Sequence, residues 1–170
     1  NITDVQLSAS SSIGSFTADK ARLNGNSCWI CSGPDWYEFG DFCYKPFGDK
    51  KTWHAARSTC RNLGAELVSI HSMKEQSWVE SYLYLATSDV WTGLNDLALP
   101  GMFMWSNEHI VTFTYWAPGE PNNHDGFSED CVEMLHQTGR WNDVSCTELN
   151  TYICKIWVCR CTMAAENTSV

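Results

Sequence analysis

Nine cysteines in 170 residues are the feature that most limits how this chain can fold. Such a density is typical of proteins that fold in an oxidising compartment, where disulfides persist. A zinc site is the alternative reading, because Cys28-x-x-Cys31 and Cys159-x-Cys161 offer four thiolates, although the second spacing is tighter than usual. An odd number leaves at least one thiol free or bonded to another chain. The cysteines are Cys28, Cys31, Cys43, Cys60, Cys131, Cys146, Cys154, Cys159 and Cys161.

The composition indicates a folded chain that does not bind nucleic acid. Hydrophobic residues make up 44% and aromatic residues 13%, which is enough for a packed core. No window approaches the roughly 18 apolar residues that span a bilayer. The net charge of −9 argues against nucleic acid, which favours basic surfaces. The first residues lack the apolar core of a signal peptide, so we expect a mature chain or an excised fragment.

Composition also predicts the domain boundaries. Residues 1–27 contain six serines but no Trp, Tyr or Cys, and we expect a linker or tail there. All nine tryptophans lie beyond that point, which predicts one domain over residues 28–158 and a C-terminal tail over 159–170. Two Asn-x-Ser/Thr triplets, at Asn1 and Asn167, fit an extracellular location.

Helix signals come early in the predicted domain, and strand signals follow. Thr52 is suited to cap a helix from Trp53 to about Leu63. Ser72 and Glu75 form a capping box for a second helix that runs to about Leu85. We predict short strands over residues 66–70, 90–94, 102–105, 111–114, 131–135 and 152–156. Together these elements indicate an α+β fold, with a core containing Trp53, Trp78, Trp91, Trp105 and Trp116.

A polar, acidic stretch interrupts the strands. Between positions 120 and 143 lie six acidic residues and a single basic one, Arg140. A solvated acidic face is one interpretation, and a site for a hard cation is the other. Calcium takes six to eight oxygen ligands, so five side chains and one backbone carbonyl would leave two positions open. The candidate calcium ligands are Glu120, Asn122, Glu129, Asn142 and Asp143.

Three short motifs reveal a family resemblance. Trp91-Thr92-Gly93-Leu94 looks like the WIGL core signature of C-type lectin domains, Glu120-Pro121-Asn122 like their EPN motif, and Trp141-Asn142-Asp143 like their WND motif. The cysteines also follow one another along the chain in the order that is typical of this family. From Cys31 to Lys155 the chain therefore resembles a C-type lectin domain, most closely the carbohydrate-recognition domains of the mannose-receptor family.

The resemblance implies a double-loop fold with three disulfides. It pairs Cys60 with Cys154 and Cys131 with Cys146, and Cys31 with Cys43 would close an N-terminal hairpin. The remaining cysteines depart from the family pattern: Cys28 could replace Cys31, or could bond to Cys159 or Cys161. The unpaired cysteine is a candidate for a disulfide-linked partner or oligomer.

The resemblance also implies what the candidate site binds. In the family, sugar hydroxyls coordinate the calcium and hydrogen-bond the side chains that hold it, which carries over here to Glu120, Asn122, Glu129 and Asn142. A Glu-Pro-Asn order resembles members that prefer mannose, fucose, N-acetylglucosamine and glucose, whereas Gln-Pro-Asp members lean to galactose. His124 and Phe127 are further candidates for sugar contact.

The sequence also allows other interpretations of the site and its function. A second calcium near Asp96 and Asp130 is not expected to bind tightly, because Pro100 stands where another carboxylate is needed. The domain could instead bind a protein, with calcium only ordering its loops. Hydrolysis by Glu120 and Glu129 as a carboxylate pair is disfavoured, because both are already assigned to the metal. We therefore expect a non-catalytic, extracellular protein, secreted or part of a receptor ectodomain.

Overall fold

The computed structural model describes residues 31, 33–123 and 128–158. Two α-helices and one mixed sheet form the fold, as the α+β prediction requires. The helices are α1 (Trp53–Asn62) and α2 (Met73–Glu80), and a 3₁₀ turn follows at Leu83–Leu85. The strands are β1 (Tyr37–Phe39), β2 (Phe42–Lys51), β3 (Glu66–Leu67), β4 (Val90–Asn95), β5 (Met104–Trp105), β6 (Cys131–Met134), β7 (Trp141–Val144) and β8 (Asn150–Trp157).

The sheet has eight strands whose main path runs β1-β2-β8-β4-β6-β7, with β3 beside β8 and β5 beside β4. Neighbouring strands are antiparallel except β4 and β8, which are parallel. This order brings β8, near the end of the described chain, beside β2, near its beginning. The β6–β7 hairpin stands at the far edge of the path, where it carries two of the predicted calcium ligands.

Both helices begin where the sequence predicts. The Thr52 side chain accepts a hydrogen bond from the Ala55 amide, and Ser72 caps α2 in the same way. The second helix ends at Glu80, before the predicted Leu85. There the Ser81 hydroxyl donates to the Trp78 carbonyl at 2.6 Å, a local bond that competes with helix continuation.

Three strand predictions need correction. The predicted strand 66–70 stops at Leu67. Val68 divides its backbone bonds between two strands, since its amide donates to β8 and its carbonyl accepts from Gly93 of β4. In 102–105 only Met104–Trp105 is a strand. Residues 111–114 form no strand; beyond them the chain makes one isolated bridge, from Trp116 to Trp141. Strand β7 is not among the predicted strands.

Aromatic residues fill the core. Trp53, Trp91 and Trp105 are buried, as predicted, whereas Trp78 and Trp116 are only partly buried and pack against its edge. The structure contains the three disulfides that the resemblance implied: Cys31–Cys43, Cys60–Cys154 and Cys131–Cys146. Cys28, Cys159 and Cys161 lie outside the described residues. In the part of the chain that is described, no helix has the length and apolar character to cross a bilayer.

A buried ion pair ties α2 to β8. The Lys155 ammonium donates to Glu75 at 2.5 Å, and both side chains are almost fully buried. The Glu75 carboxylate also accepts from the Tyr44 hydroxyl at 2.6 Å and from the His71 amide at 2.8 Å. The predicted capping box is therefore half wrong. Ser72 caps α2, but the Glu75 carboxylate bonds groups in the core and not the Ser72 amide. Three groups, from β2, from β8 and from the turn before α2, therefore depend on one carboxylate.

Replacing Lys155 with methionine should destabilise the fold strongly, because it leaves the Glu75 charge buried without its cation. We expect the free energy of unfolding to fall by about 3–5 kcal/mol, measured by chemical denaturation at neutral pH. Lys50→Met, on the exposed end of β2, is the matched control and should change stability by about 0.5 kcal/mol or less. Equal effects of the two substitutions would contradict the role given to this pair.

Candidate functional site

The candidate site is built on the β6–β7 hairpin. Its register pairs Val132 with Asp143 and Glu133 with Asn142. Consecutive strand residues face opposite sides of a sheet, so Asn142 and Asp143 reach different surroundings. Asp143 is 1% exposed, which means that its carboxylate must find partners within the protein.

Trp141, which begins β7, attaches the preceding loop to the sheet. Its amide donates to the Tyr115 carbonyl at 2.9 Å, and its carbonyl accepts from the Ala117 amide at 2.8 Å. Its buried indole meets the rings of Trp105, Phe113 and Trp116 at edge-on angles. Trp141 therefore holds the backbone at Tyr115 and Ala117, just before Glu120 and Asn122.

The Asp143 carboxylate orders the next segment, residues 117–123, which we call the ligand loop. One oxygen accepts from the Asn122 amide at 3.1 Å and the other from the Asn123 amide at 2.9 Å. The Glu120–Pro121 peptide is cis. Within the loop the Asn122 side chain donates to Glu120 Oε1 at 2.9 Å. The structure thus brings Glu120, Asn122 and Asp143 together.

Glu120 carries an unusual oxygen. Its Oε2 is buried and has no hydrogen-bond partner in the described part of the chain. Burial raises the pKa of Glu120, and the neighbouring Asp143 carboxylate raises it further. An unpartnered carboxylate oxygen beside a second carboxylate is costly in free energy unless a cation joins them. The ligand loop therefore has the electrostatic character of a cation site.

The other two predicted ligands, Glu129 and Asn142, form separate hydrogen bonds. The Glu129 amide donates to Asn123 Oδ1 at 3.5 Å, a long bond that places Glu129 against the ligand loop. The Asn142 side chain donates to Glu133 Oε1 at 3.0 Å. His124 and Phe127, the predicted sugar contacts, lie outside the described residues. Within residues 31, 33–123 and 128–158, no three His, Cys, Asp or Glu side chains form a group that could hold a metal by themselves.

The residues of the possible second site are engaged in local bonds. The Asp96 amide donates to the Asp130 carbonyl at 3.1 Å, so the two are adjacent. Asp96 Oδ2 accepts from the Gly101 amide at 2.6 Å, while its Oδ1 is buried without a partner. The Asp130 carboxylate accepts from the Ser128 hydroxyl. Weak or absent calcium binding there stays a prediction.

The sequence reasoning missed two buried polar residues that support the site. Gln76 of α2 accepts from the Trp141 indole at 2.9 Å and donates to the Gly139 carbonyl at 2.7 Å. Glu133 accepts from Asn142 and from Asn150. Glu133 had a visible signal, since a charged residue inside a predicted buried strand needs a partner. Gln76 had none, because its partners lie about 60 residues away along the chain.

Asp143→Asn should loosen the ligand loop. An amide offers one oxygen where the carboxylate offers two, so one of the Asn122 and Asn123 amides loses its acceptor. In protein kept free of divalent cations, we expect hydrogen exchange at these two amides to accelerate by about tenfold or more, as a lost bond of ~1–3 kcal/mol implies. Asp49→Asn, in an exposed pair with Lys51, should leave both rates unchanged. Unchanged protection in Asp143→Asn would refute the anchoring role.

Comparison with known proteins gives the family. The model of the lectin C-type domain matches residues 49–156. Human C-type mannose receptor 2 is 40% identical over 122 residues, which is 72% of this chain but only 8% of the receptor. The cow C-type carbohydrate-recognition domain of CD23, solved in the presence of GlcNAc2Man3 oligosaccharide, has a TM-score of 0.69 and 37% identity. That match covers 76% of this chain and 98% of the other.

Calcium is not a constant among these structural relatives. A calcium-independent type II antifreeze protein has a TM-score of 0.69 and 27% identity, over 78% of this chain and 98% of its own. The fold alone therefore leaves the metal to be argued from the site residues. The matched domain spans most of the described residues, and the protein belongs to the C-type lectin domain family.

Proposed function

We propose that this domain binds mannose-type glycans through a calcium ion held by Glu120, Asn122, Glu129, Asn142 and Asp143. The observation that carries the proposal is the buried, unpartnered oxygen of Glu120 beside the Asp143 carboxylate. Calcium accepts such mixed carboxylate and amide oxygens in a flexible shell of six to eight. The bound ion would offer its remaining positions to sugar hydroxyls.

The side chains at these positions have complementary hydrogen-bonding roles. An ionised Glu120 only accepts, whereas the Asn122 amide can also donate. A sugar hydroxyl placed between them can donate to the first and accept from the second. By its resemblance to Glu-Pro-Asn members, the pair should select mannose, fucose or N-acetylglucosamine over galactose. His124 and Phe127 remain proposed sugar contacts.

The same proposal covers the protein's setting. Three intrachain disulfides suit an oxidising environment, and the relative C-type mannose receptor 2 is a receptor. We therefore place the domain outside the cell, secreted or within a receptor ectodomain, and assign it no catalytic activity. One open site should bind monosaccharide weakly, on the order of millimolar, so useful affinity would come from several copies. Cys28, Cys159 or Cys161 could link such copies.

A protein-binding module is the second candidate. It is favoured by the calcium-independent relative and by the lack of a three-acid metal group among the described residues. In that case the ligand loop would present a surface to a protein, with calcium ordering it at most.

Chromatography on mannan tests the two candidates. With calcium present, the glycan proposal predicts retention that either a chelator or free mannose reverses, while galactose does not. Failure to bind mannan, with calcium still raising the melting temperature, would favour the protein-binding module. No response to calcium in either assay would refute the metal site itself.

The double substitution Glu120→Gln/Asn122→Asp tests the selectivity. Exchanging the acceptor-only and donor-capable side chains should weaken mannose binding by about tenfold or more and improve galactose binding, because each lost pair contributes ~1.5–3 kcal/mol. Competition binding at saturating calcium measures both constants. Glu38→Gln removes one charge from exposed strand β1 and serves as control. A uniform loss for both sugars would mean that this pair holds calcium without choosing the sugar.

A further inference from the structure

Glu133 is a buried carboxylate whose purpose the proposed function leaves unexplained. It stands in β6 between Trp91 of β4 and Asn142 of β7, directly opposite each in the sheet register. Its exposed fraction is 6%. None of the ion pairs formed by the described residues includes it. A buried carboxylate without a cation lowers the stability of a fold, so the contacts that Glu133 does make need an explanation.

Those contacts are two side-chain amides. Asn142 Nδ2 donates to Glu133 Oε1 at 3.0 Å, and Asn150 Nδ2 donates to Glu133 Oε2 at 2.5 Å. Asn150, which begins β8, is itself 6% exposed. One carboxylate thereby joins β6, β7 and β8 on a single face of the sheet.

The chemistry of this contact fixes the Asn142 amide in one orientation. An ionised carboxylate only accepts hydrogen bonds, so it selects the NH₂ arm of the amide and rejects the carbonyl arm. Because the amide is planar, holding its nitrogen also holds Oδ1. Without such a partner, an asparagine can rotate by half a turn and present NH₂ where a cation needs oxygen.

We propose that Glu133 is a positioning residue that holds Asn142 with its carbonyl oxygen free to bind calcium. The inference rests on the proposed function, since Asn142 is one of the five proposed ligands. Glu133 acts through the Asn142 amide and touches neither the ion nor the sugar. Partners of this kind orient metal ligands in other proteins, and their loss commonly weakens metal affinity by about 10- to 100-fold.

Two substitutions at Glu133 separate positioning from simple charge attraction. Glu133→Met keeps the length and removes the acceptor, so calcium affinity, measured calorimetrically without sugar, should fall by about tenfold or more. Glu133→Gln removes the charge but keeps one acceptor for Asn142, while Asn150 can turn its own carbonyl towards the new NH₂ group. Its calcium affinity should stay within about threefold of the original. Equal losses in both variants would show that Glu133 acts by charge, which overturns the positioning role.

A double-mutant cycle identifies the residue through which Glu133 acts. In an Asn142→Ala background, adding Glu133→Met should weaken calcium binding no further, because the oriented amide is already absent. Asn150→Leu leaves the Glu133–Asn142 bond in place and controls for lost stability, so it should lower the melting temperature with little change in calcium affinity. Additive losses in the cycle would overturn the inference.

A measurement on the unsubstituted protein covers the case in which Glu133→Met fails to fold. NMR relaxation of the Asn142 side-chain NH₂ group, without calcium, should give an order parameter as high as that of rigid backbone, about 0.85. A value below about 0.6 would mean a mobile amide and would overturn the inference. If the original chain binds no calcium, both the proposed function and this inference fail. Calcium binding with additive mutational losses would remove this inference alone.

Discussion

The attachment of the ligand loop to the sheet through Trp141 is the contact on which the candidate site depends. Its backbone holds Tyr115 and Ala117, and its buried indole is fixed by Gln76 of α2. The next two residues along β7 are proposed calcium ligands. Core packing around Trp141 therefore determines where the polar groups at the sheet edge lie, because a shift of Trp141 would move the ligand loop and β7 together.

Two buried carboxylates, Asp143 and Glu133, then define the chemistry on either side of this strand. Asp143 uses both oxygens to hold backbone amides of the ligand loop, which leaves Glu120 with an oxygen that lacks a partner. On the face away from Asp143, Glu133 holds the Asn142 amide. Without a metal ion, the unpartnered Glu120 oxygen carries an electrostatic penalty that lowers the stability of the site. A divalent cation would remove that penalty. The proposed calcium dependence follows from this imbalance.

Local signals in the sequence predicted local structure well. Thr52 and Ser72 mark the starts of both helices, because capping depends on a side chain and an amide three residues apart. The end of α2 and the course of residues 111–114 were mispredicted, because they depend on contacts made elsewhere, such as the bridge to Trp141. The disulfide pairs came from the family resemblance, since spacing alone leaves many pairings open.

The candidate site shows the same difference between local features, which the sequence predicts, and long-range contacts, which it does not. The motifs supplied the residue types of five ligands, and the structure brings Glu120, Asn122 and Asp143 together. Sequence could not supply the partners that orient them, because Glu133 meets Asn142 through sheet register and Gln76 meets Trp141 across the core. His124 and Phe127 stay predictions, as they fall outside the described residues.

A crystal structure of the domain grown with calcium and mannose would show the proposed site itself. We expect one cation with oxygens of Glu120, Asn122, Glu129, Asn142 and Asp143 at about 2.3–2.6 Å, and two sugar hydroxyls completing the shell. Asn142 should keep its nitrogen on Glu133. A cation bound elsewhere, or a sugar seated away from Glu120 and Asn122, would contradict the proposed site.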